Sequence, residues 1–427
     1  MIGTLRKKIY LIAKKQGVGF GIDFPYFVKN GFWVMTRQII VAITGLTTLV
    51  ILTRYTSQEI FGKYQFILSV LSLVMIFSLP GMGTSLVQAI AQGKDGFYKQ
   101  AFRLSMRASL TGSIVLTLVG AYFLYSDIQL ASGFLLIAFL FPFLSVFFLW
   151  ESFLQGKERF DLVTRNATSL SILQVVMMGV AVFLFPRHLT ALILAYGLSA
   201  MLLNIYFYRS SLSLVKNDVS DDQSVRFGYF MTKMNAIGII SEQIDKILIG
   251  VLLGPVQLAV YAVVSFFGVR IKEVMRSFTS MLVPKMTTGK YLFHEILFLH
   301  KKTMLALLFG MVGFSLGFYF LVNFVNVLMF SRFYQDYGYL SQWYVCTIML
   351  SVPLTFMGYY VSAKQNKYAI TLSNTFFHVI RIVLSIVLIS LYGLLGAVVA
   401  YNVSMILLLF VYSWGIYREE RVISLPQ

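Results

Sequence analysis

Runs of twenty or more residues almost free of Asp, Glu, Lys and Arg recur along this chain, residues 395 to 416 among them. Each is about as long as an α-helix must be to cross the hydrocarbon core of a bilayer, roughly 20 residues. The composition points the same way. Of 427 residues, 58% are hydrophobic and 12% are charged, where soluble domains carry about 25% charged residues. Most of the chain is therefore solvated by lipid. The single cysteine, Cys346, excludes an intramolecular disulfide, and no His/Cys cluster has metal-ligand spacing, so neither a staple nor a metal is expected.

Hydrophobic periodicity predicts an all-α integral membrane protein with twelve spans: 32 to 53, 64 to 90, 101 to 125, 131 to 153, 164 to 185, 187 to 207, 228 to 252, 257 to 283, 303 to 326, 339 to 361, 370 to 391 and 395 to 416. Of the 35 Lys and Arg residues, 23 fall in the N-terminal segment and every second loop, while the alternate loops hold only Arg54, Lys63, Arg187 and Arg332. Cytoplasmic loops carry the cation excess, which predicts both termini in the cytoplasm. The net charge of +18 is then largely topological. No basic patch comes with a soluble domain, so nucleic acid is not an expected partner. The first span is too long for a signal-peptide core and no small-residue cleavage site follows it, so the N-terminus is expected to remain attached. Residues 5 to 28 mix five cations with Leu, Ile, Phe and Tyr and suit a helix in the inner interface. Trp33, Trp150, Trp343 and Trp414 all fall near predicted span ends, where indoles favour the headgroup level.

The chain repeats itself. A shift of 197 places Gly31-Phe32-Trp33 on Gly228-Tyr229-Phe230 and Phe61-Gly62-Lys63-Tyr64 on Leu258-Ala259-Val260-Tyr261; shifts of 208 and 205 pair Asn166 with Asn374 and Ala195 to Ser199 with Ala400 to Ser404. Six spans per half relate the halves by a pseudo-two-fold axis along the membrane normal. The expected organisation is an N-terminal interfacial segment 1–31, a six-helix bundle 32–208, a polar cytoplasmic linker 209–226, a second six-helix bundle 227–417 and a cytoplasmic tail 418–427.

Eight cations remain inside the spans: Arg37, Arg107, Lys233, Lys246, Arg270, Lys272, Arg276 and Arg381. Each costs about 2.5–3.5 kcal/mol at a span centre, so they cannot all face lipid. Arg37, Arg107 and Lys233 lie within about two turns of the cytoplasmic ends, from which they either snorkel or line a pathway. Arg270 and Arg381 lie about 15–22 Å from their span ends, too deep to snorkel. Arg270, Lys272, Glu273 and Arg276 share an arc of about 160° that is expected to line a water-filled cavity, the alternative being a buried Arg270 and Glu273 clamp. Span 7 carries Glu242, Asp245 and Lys246 where span 1 has only Thr44, Thr47 and Thr48. These acids either couple transport to a proton or Na⁺ gradient or pair with Lys246. With Glu151 the spans hold four acids against eight cations, which favours an anionic cargo. Pro80, Pro142 and Pro353 are expected to interrupt spans 2, 4 and 10. No Gly-rich phosphate loop leads to Lys-Ser/Thr and no Ser/His/Asp set stands out, so neither ATP hydrolysis nor other enzymatic chemistry is expected.

Asn30-Gly31-Phe32-Trp33, Glu59-Ile60-Phe61-Gly62-Lys63-Tyr64 and Asp245-Lys246-Ile247-Leu248-Ile249-Gly250 before Gly254 and Tyr261 resemble the polysaccharide transporters of the MOP (multidrug/oligosaccharidyl-lipid/polysaccharide) superfamily, especially Wzx-type flippases. The resemblance implies a MATE-like, V-shaped pair of bundles in the bacterial inner membrane. It also implies an undecaprenyl-diphosphate-linked oligosaccharide moved between leaflets for O-antigen or capsule synthesis, alongside polymerase and chain-length proteins of the same pathway. On that reading Arg270, Lys272, Arg276, Arg381, Arg37, Arg107 and Lys246 attract the diphosphate or acidic sugars. Three alternatives stand beside it: a drug exporter of the superfamily, disfavoured by the net-positive spans; a lipid II flippase, whose family has fourteen spans; and a membrane polymerase or glycosyltransferase, disfavoured by the short outer loops.

Overall fold

A computed structural model describes residues 24–280, 301–346, 348–363, 368 and 371–423. Every regular element among them is helical. In the first half, α1 (Phe24–Tyr55) and α2 (Gln58–Val74) are followed by α3 (Gly81–Ala91), α4 (Phe97–Phe123), α5 (Ile128–Ser145), α6 (Leu149–Gly156), α7 (Phe160–Leu184) and α8 (Leu189–Leu212). In the second half, α9 (Asp222–Leu248) leads through a π-helical turn to α10 (Pro255–Ser280), then α11 (Lys301–Met329), α12 (Arg332–Gln335), α13 (Gly338–Val345), α14 (Ile348–Ala363) and α15 (Phe377–Ile423). Eight helices among the described residues are long and apolar enough to cross a membrane, which makes this a multi-pass membrane protein. Most of the predicted interfacial segment lies outside the described residues; Phe24 to Gly31 are helical and continuous with α1.

Proline acts differently at two of its sites. The second predicted span is two helices, because Leu79 takes a left-handed conformation (φ 59°, ψ 61°) just before Pro80, whose ring has no N–H to continue a helix. Pro142, by contrast, lies inside α5, and the chain breaks only after Ser145. Likewise α14 runs through Pro353. Proline disturbs the turn before it, and neighbouring helices re-satisfy the freed backbone groups in lipid.

The apolar stretch Phe377–Arg418 spans 42 residues, about 63 Å if straight, twice the hydrocarbon thickness. It is not straight. Gly393 adopts φ 59° and ψ −133°, which side-chain-bearing residues avoid, and a Cβ on Gly396 would meet the Leu388 carbonyl oxygen at 1.8 Å. The chain thus reverses at one glycine into two arms.

In lipid, close packing rather than transfer from water holds helices together, and small residues permit it. One face of α4 buries Ser105, Ser109, Gly112 and Gly120 against α5, and the Phe141 ring seats on Gly112. The opposite face exposes Leu110, Ile114 and Leu118. Trp150 is fully buried, and its indole N–H donates to Asn204 Oδ1 at 3.1 Å. It belongs to the core of the first half and not to an interfacial belt, because the buried Asn204 carbonyl supplies the acceptor that water would otherwise provide.

Candidate functional site

Two pairs of helices bring the halves together: α3 packs on α9, and α2 on α10. Glycines set the distance. A Cβ on Gly62 of α2 would lie 1.7 Å from the Pro255 carbonyl oxygen at the start of α10, and one on Gly81 of α3 would lie 2.3 Å from the Gly228 carbonyl oxygen and the Thr232 nitrogen. Hydrogen bonds add to these contacts: Gly81 N–H donates to Thr232 Oγ1 (3.0 Å) and Ser85 Oγ to the Ser224 carbonyl (2.5 Å). Beside them, Lys94 pairs with Asp221 at 2.7 Å and Lys99 with Asp218 at 2.9 Å.

Between these contacts lies a cavity of about 360 Å³ walled by both halves: Gly45, Thr48 and Tyr64 on one side, Lys246, Arg270 and Glu273 on the other. Arg270 donates from Nη1 to Glu273 Oε2 at 2.8 Å, and its guanidinium stacks over Phe266 at 5.5 Å. Gly45 leaves room for that guanidinium, 3.1 Å from where a Cβ would stand. Lys246 reaches the same cavity, and its ammonium has no hydrogen bond or ion pair among the described residues. Two cations and one carboxylate thus line the second half's wall of this cavity.

A second cavity, of about 510 Å³, lies within the second half, between α9, α10, α14 and α15, and is lined by Glu242, Lys272, His378 and Arg381. The expected single arc on span 8 is therefore divided. Positions two residues apart on a helix differ by about 200°, so Arg270 turns to the inter-half cavity and Lys272 to the other. The Arg276 side chain lies outside the described residues. His378 was not singled out from the sequence. Only its place on α15, three residues before Arg381 and thus one turn away on the same face, signals it.

Asp245 does not pair with the Lys246 ammonium. Its Oδ2 accepts the Tyr261 hydroxyl at 2.5 Å and lies 3.8 Å from Arg381 Nη2, while Oδ1 accepts the Lys246 backbone N–H. Adjacent helix positions diverge by about 100°, which carries Asp245 into the second half's core and leaves Lys246 at its surface. Arg381 also stacks over Tyr401, which is parallel to Tyr344 at 4.2 Å. The repeat partner of Asp245 is Thr48, whose hydroxyl bonds back to its own helix at the Thr44 carbonyl. The matched tyrosines Tyr64 and Tyr261 are both buried, but only the second has a carboxylate to meet.

The remaining predicted residues lie apart from both cavities. Arg37 forms a bidentate pair with Glu151 (2.8 and 2.9 Å), joining α1 to α6, and Gln155 donates to the same carboxylate. Arg107 is exposed on α4, in a groove with Lys99 and Arg103.

Comparison with solved structures fixes the class of fold. An outward-facing MATE multidrug transporter of the MOP superfamily superposes with a TM-score of 0.64 over 94% of this chain and 97% of that one, at 12% identity. The lipid II flippase MurJ, in an inward closed conformation, gives 0.66 over 89% and 86%, again at 12% identity. The fold is the one these two structures share. This chain belongs to the polysaccharide biosynthesis protein family, whose profile matches residues 27–290. A Shigella flexneri protein named "Putative O-antigen transporter" is 24% identical over 261 residues, a match covering 55% of this chain and 60% of that relative.

Proposed function

We propose that this protein is a flippase that carries undecaprenyl-diphosphate-linked oligosaccharide repeat units across the bacterial cytoplasmic membrane for surface polysaccharide synthesis, by alternating access. On this reading twelve spans form two six-helix bundles, 32–208 and 227–417, joined by a cytoplasmic linker, with both termini in the cytoplasm. The observation that carries the proposal is the Lys246 ammonium, unpaired among the described residues, beside Arg270 in a cavity walled by both halves. A half-buried cation without a protein partner facing such a cavity favours an anionic group, and the diphosphate of a lipid carrier supplies one. The lipid tail stays in the bilayer while the sugars enter between the halves. Lys272 and Arg381 in the second cavity are candidates for acidic sugars, and Glu242 for coupling to a H⁺ or Na⁺ gradient. The names of the curated relative and of the MurJ flippase agree with a lipid-linked cargo.

The test is a strain in which this protein is the sole exporter of its repeat unit. With Lys246→Gln and Arg270→Gln together, complete lipid-linked repeat units should accumulate on the inner leaflet and surface polysaccharide should fall. Unchanged export at normal expression would exclude the cavity as the pathway. Complete units that cross but remain unpolymerised would indicate an enzyme of polymerisation instead.

A further inference from the structure

The exposed face of α4 is amphiphilic along its length. Lys99, Arg103 and Arg107 recur at four-residue spacing, and Leu110, Ile114 and Leu118 continue the stripe within an arc of about 100°. The three cations, with Gly96, Gln100 and Asp218, line a groove of about 490 Å³ at the end of α4 that meets the linker between the halves. Lys99 is occupied by Asp218 at 2.9 Å. Arg103 and Arg107 are exposed and make no hydrogen bond or ion pair among the described residues, so the groove carries two uncompensated guanidinium groups.

We propose that this stripe binds an anionic phospholipid, such as phosphatidylglycerol, from the cation-rich side of the membrane. Guanidinium groups bind phosphate oxygens in pairs of parallel hydrogen bonds. From Arg107 to Leu118 the helix rises about 16 Å, close to one leaflet of a hydrocarbon core about 30 Å thick, so acyl chains lie along Leu110, Ile114 and Leu118. α4 packs on α2, α3, α5 and α6 of its own half, and none of the residues lining the groove lines the inter-half cavity. That favours a resident bilayer lipid over a transported one. The inference is independent of the cargo.

The experiment is native mass spectrometry of the full-length protein exchanged into mixed micelles containing phosphatidylglycerol or phosphatidylcholine. Wild type should retain phosphatidylglycerol preferentially. Arg103→Gln with Arg107→Gln should weaken that retention by roughly tenfold or more, two cations near an anionic surface having been removed. Arg187→Gln with Arg332→Gln, the same charge change at the other membrane end, should leave it unchanged. Equal retention by wild type and the α4 double variant would overturn the proposal, as would equal binding of phosphatidylcholine. Displacement of the phospholipid by an equimolar polyprenyl diphosphate would reassign the groove to transported lipid and overturn it too.

Discussion

Arg54, the penultimate residue of α1, donates from Nε to the Met329 carbonyl at 2.7 Å and from Nη2 to the Leu328 carbonyl at 2.5 Å. One half thereby caps the last turn of α11 in the other, where orphan carbonyls and the negative end of the helix dipole attract a cation. Arg54→Ala should lower the thermal midpoint of the purified protein modestly, the exposed contact being worth about 0.3–1 kcal/mol. Arg54→Lys should restore only part, because a point charge cannot reproduce two fixed hydrogen bonds. Identical melting curves for all three proteins would show that the cap contributes nothing.

The approach of Gly62 to Pro255 leaves no room for a methyl group, since the obstacle is backbone. Gly62→Ala should push α2 away from α10, lower the thermal midpoint and impair export, whereas Gly179→Ala, at an open position, should do neither. Comparable melting and export for the two alanine variants would contradict the close contact.

Asp245 and Arg381 are both buried, at 5% exposure each. Removing one partner of such a pair strands a charge, a loss of about 3–5 kcal/mol. Asp245→Asn and Arg381→Gln should each be severely destabilised, and the double variant should be more stable than their summed losses imply. Strict additivity in thermal unfolding would show that the two do not interact.

Asp127, in the turn before α5, caps that helix through the Gln129 and Leu130 N–H groups and bridges to Lys63 at 2.7 Å. Burial alone would raise its carboxyl, but the Lys63 ammonium and those N–H groups outweigh it and hold the group below its ordinary value. A carboxyl depressed in the folded state contributes stability that is present above its unfolded value, about 4, and is lost as pH falls through the folded value. The stability gap between wild type and Asp127→Asn, which keeps a capping oxygen, should therefore be constant above about pH 5 and shrink in acid. A gap that does not respond to pH would place the effect in the cap alone.

Apolar runs were legible from the chain, and so was the need to bury Arg381, because lipid penalises charge by position along a helix. Partners were not. Arg37 meets Glu151 across 114 residues and Arg54 meets Met329 across 275, and periodicity gives a helix face without naming what packs on it. The same limit hid the division of span 8 between two cavities, since an arc of about 160° reads as one surface until a neighbour splits it. The burial of Trp150 was missed because indoles near span ends ordinarily face headgroups, and nothing local to Trp150 announces Asn204, 54 residues away.

The single-residue reversal at Gly393 bears on how the chain enters the bilayer during synthesis. With no connecting loop, the arms of α15 have nothing to hold their junction in water while one arm waits for the other. Insertion as one hairpin would avoid this. The arm bearing Arg381 is the reluctant one, carrying a penalty of about 2.5–3.5 kcal/mol if central, and the arm from Leu394 has no charged residue before Arg418. Entering together, the uncharged arm would offset that penalty, and Asp245, earlier in the chain, would meet the guanidinium it contacts in the fold.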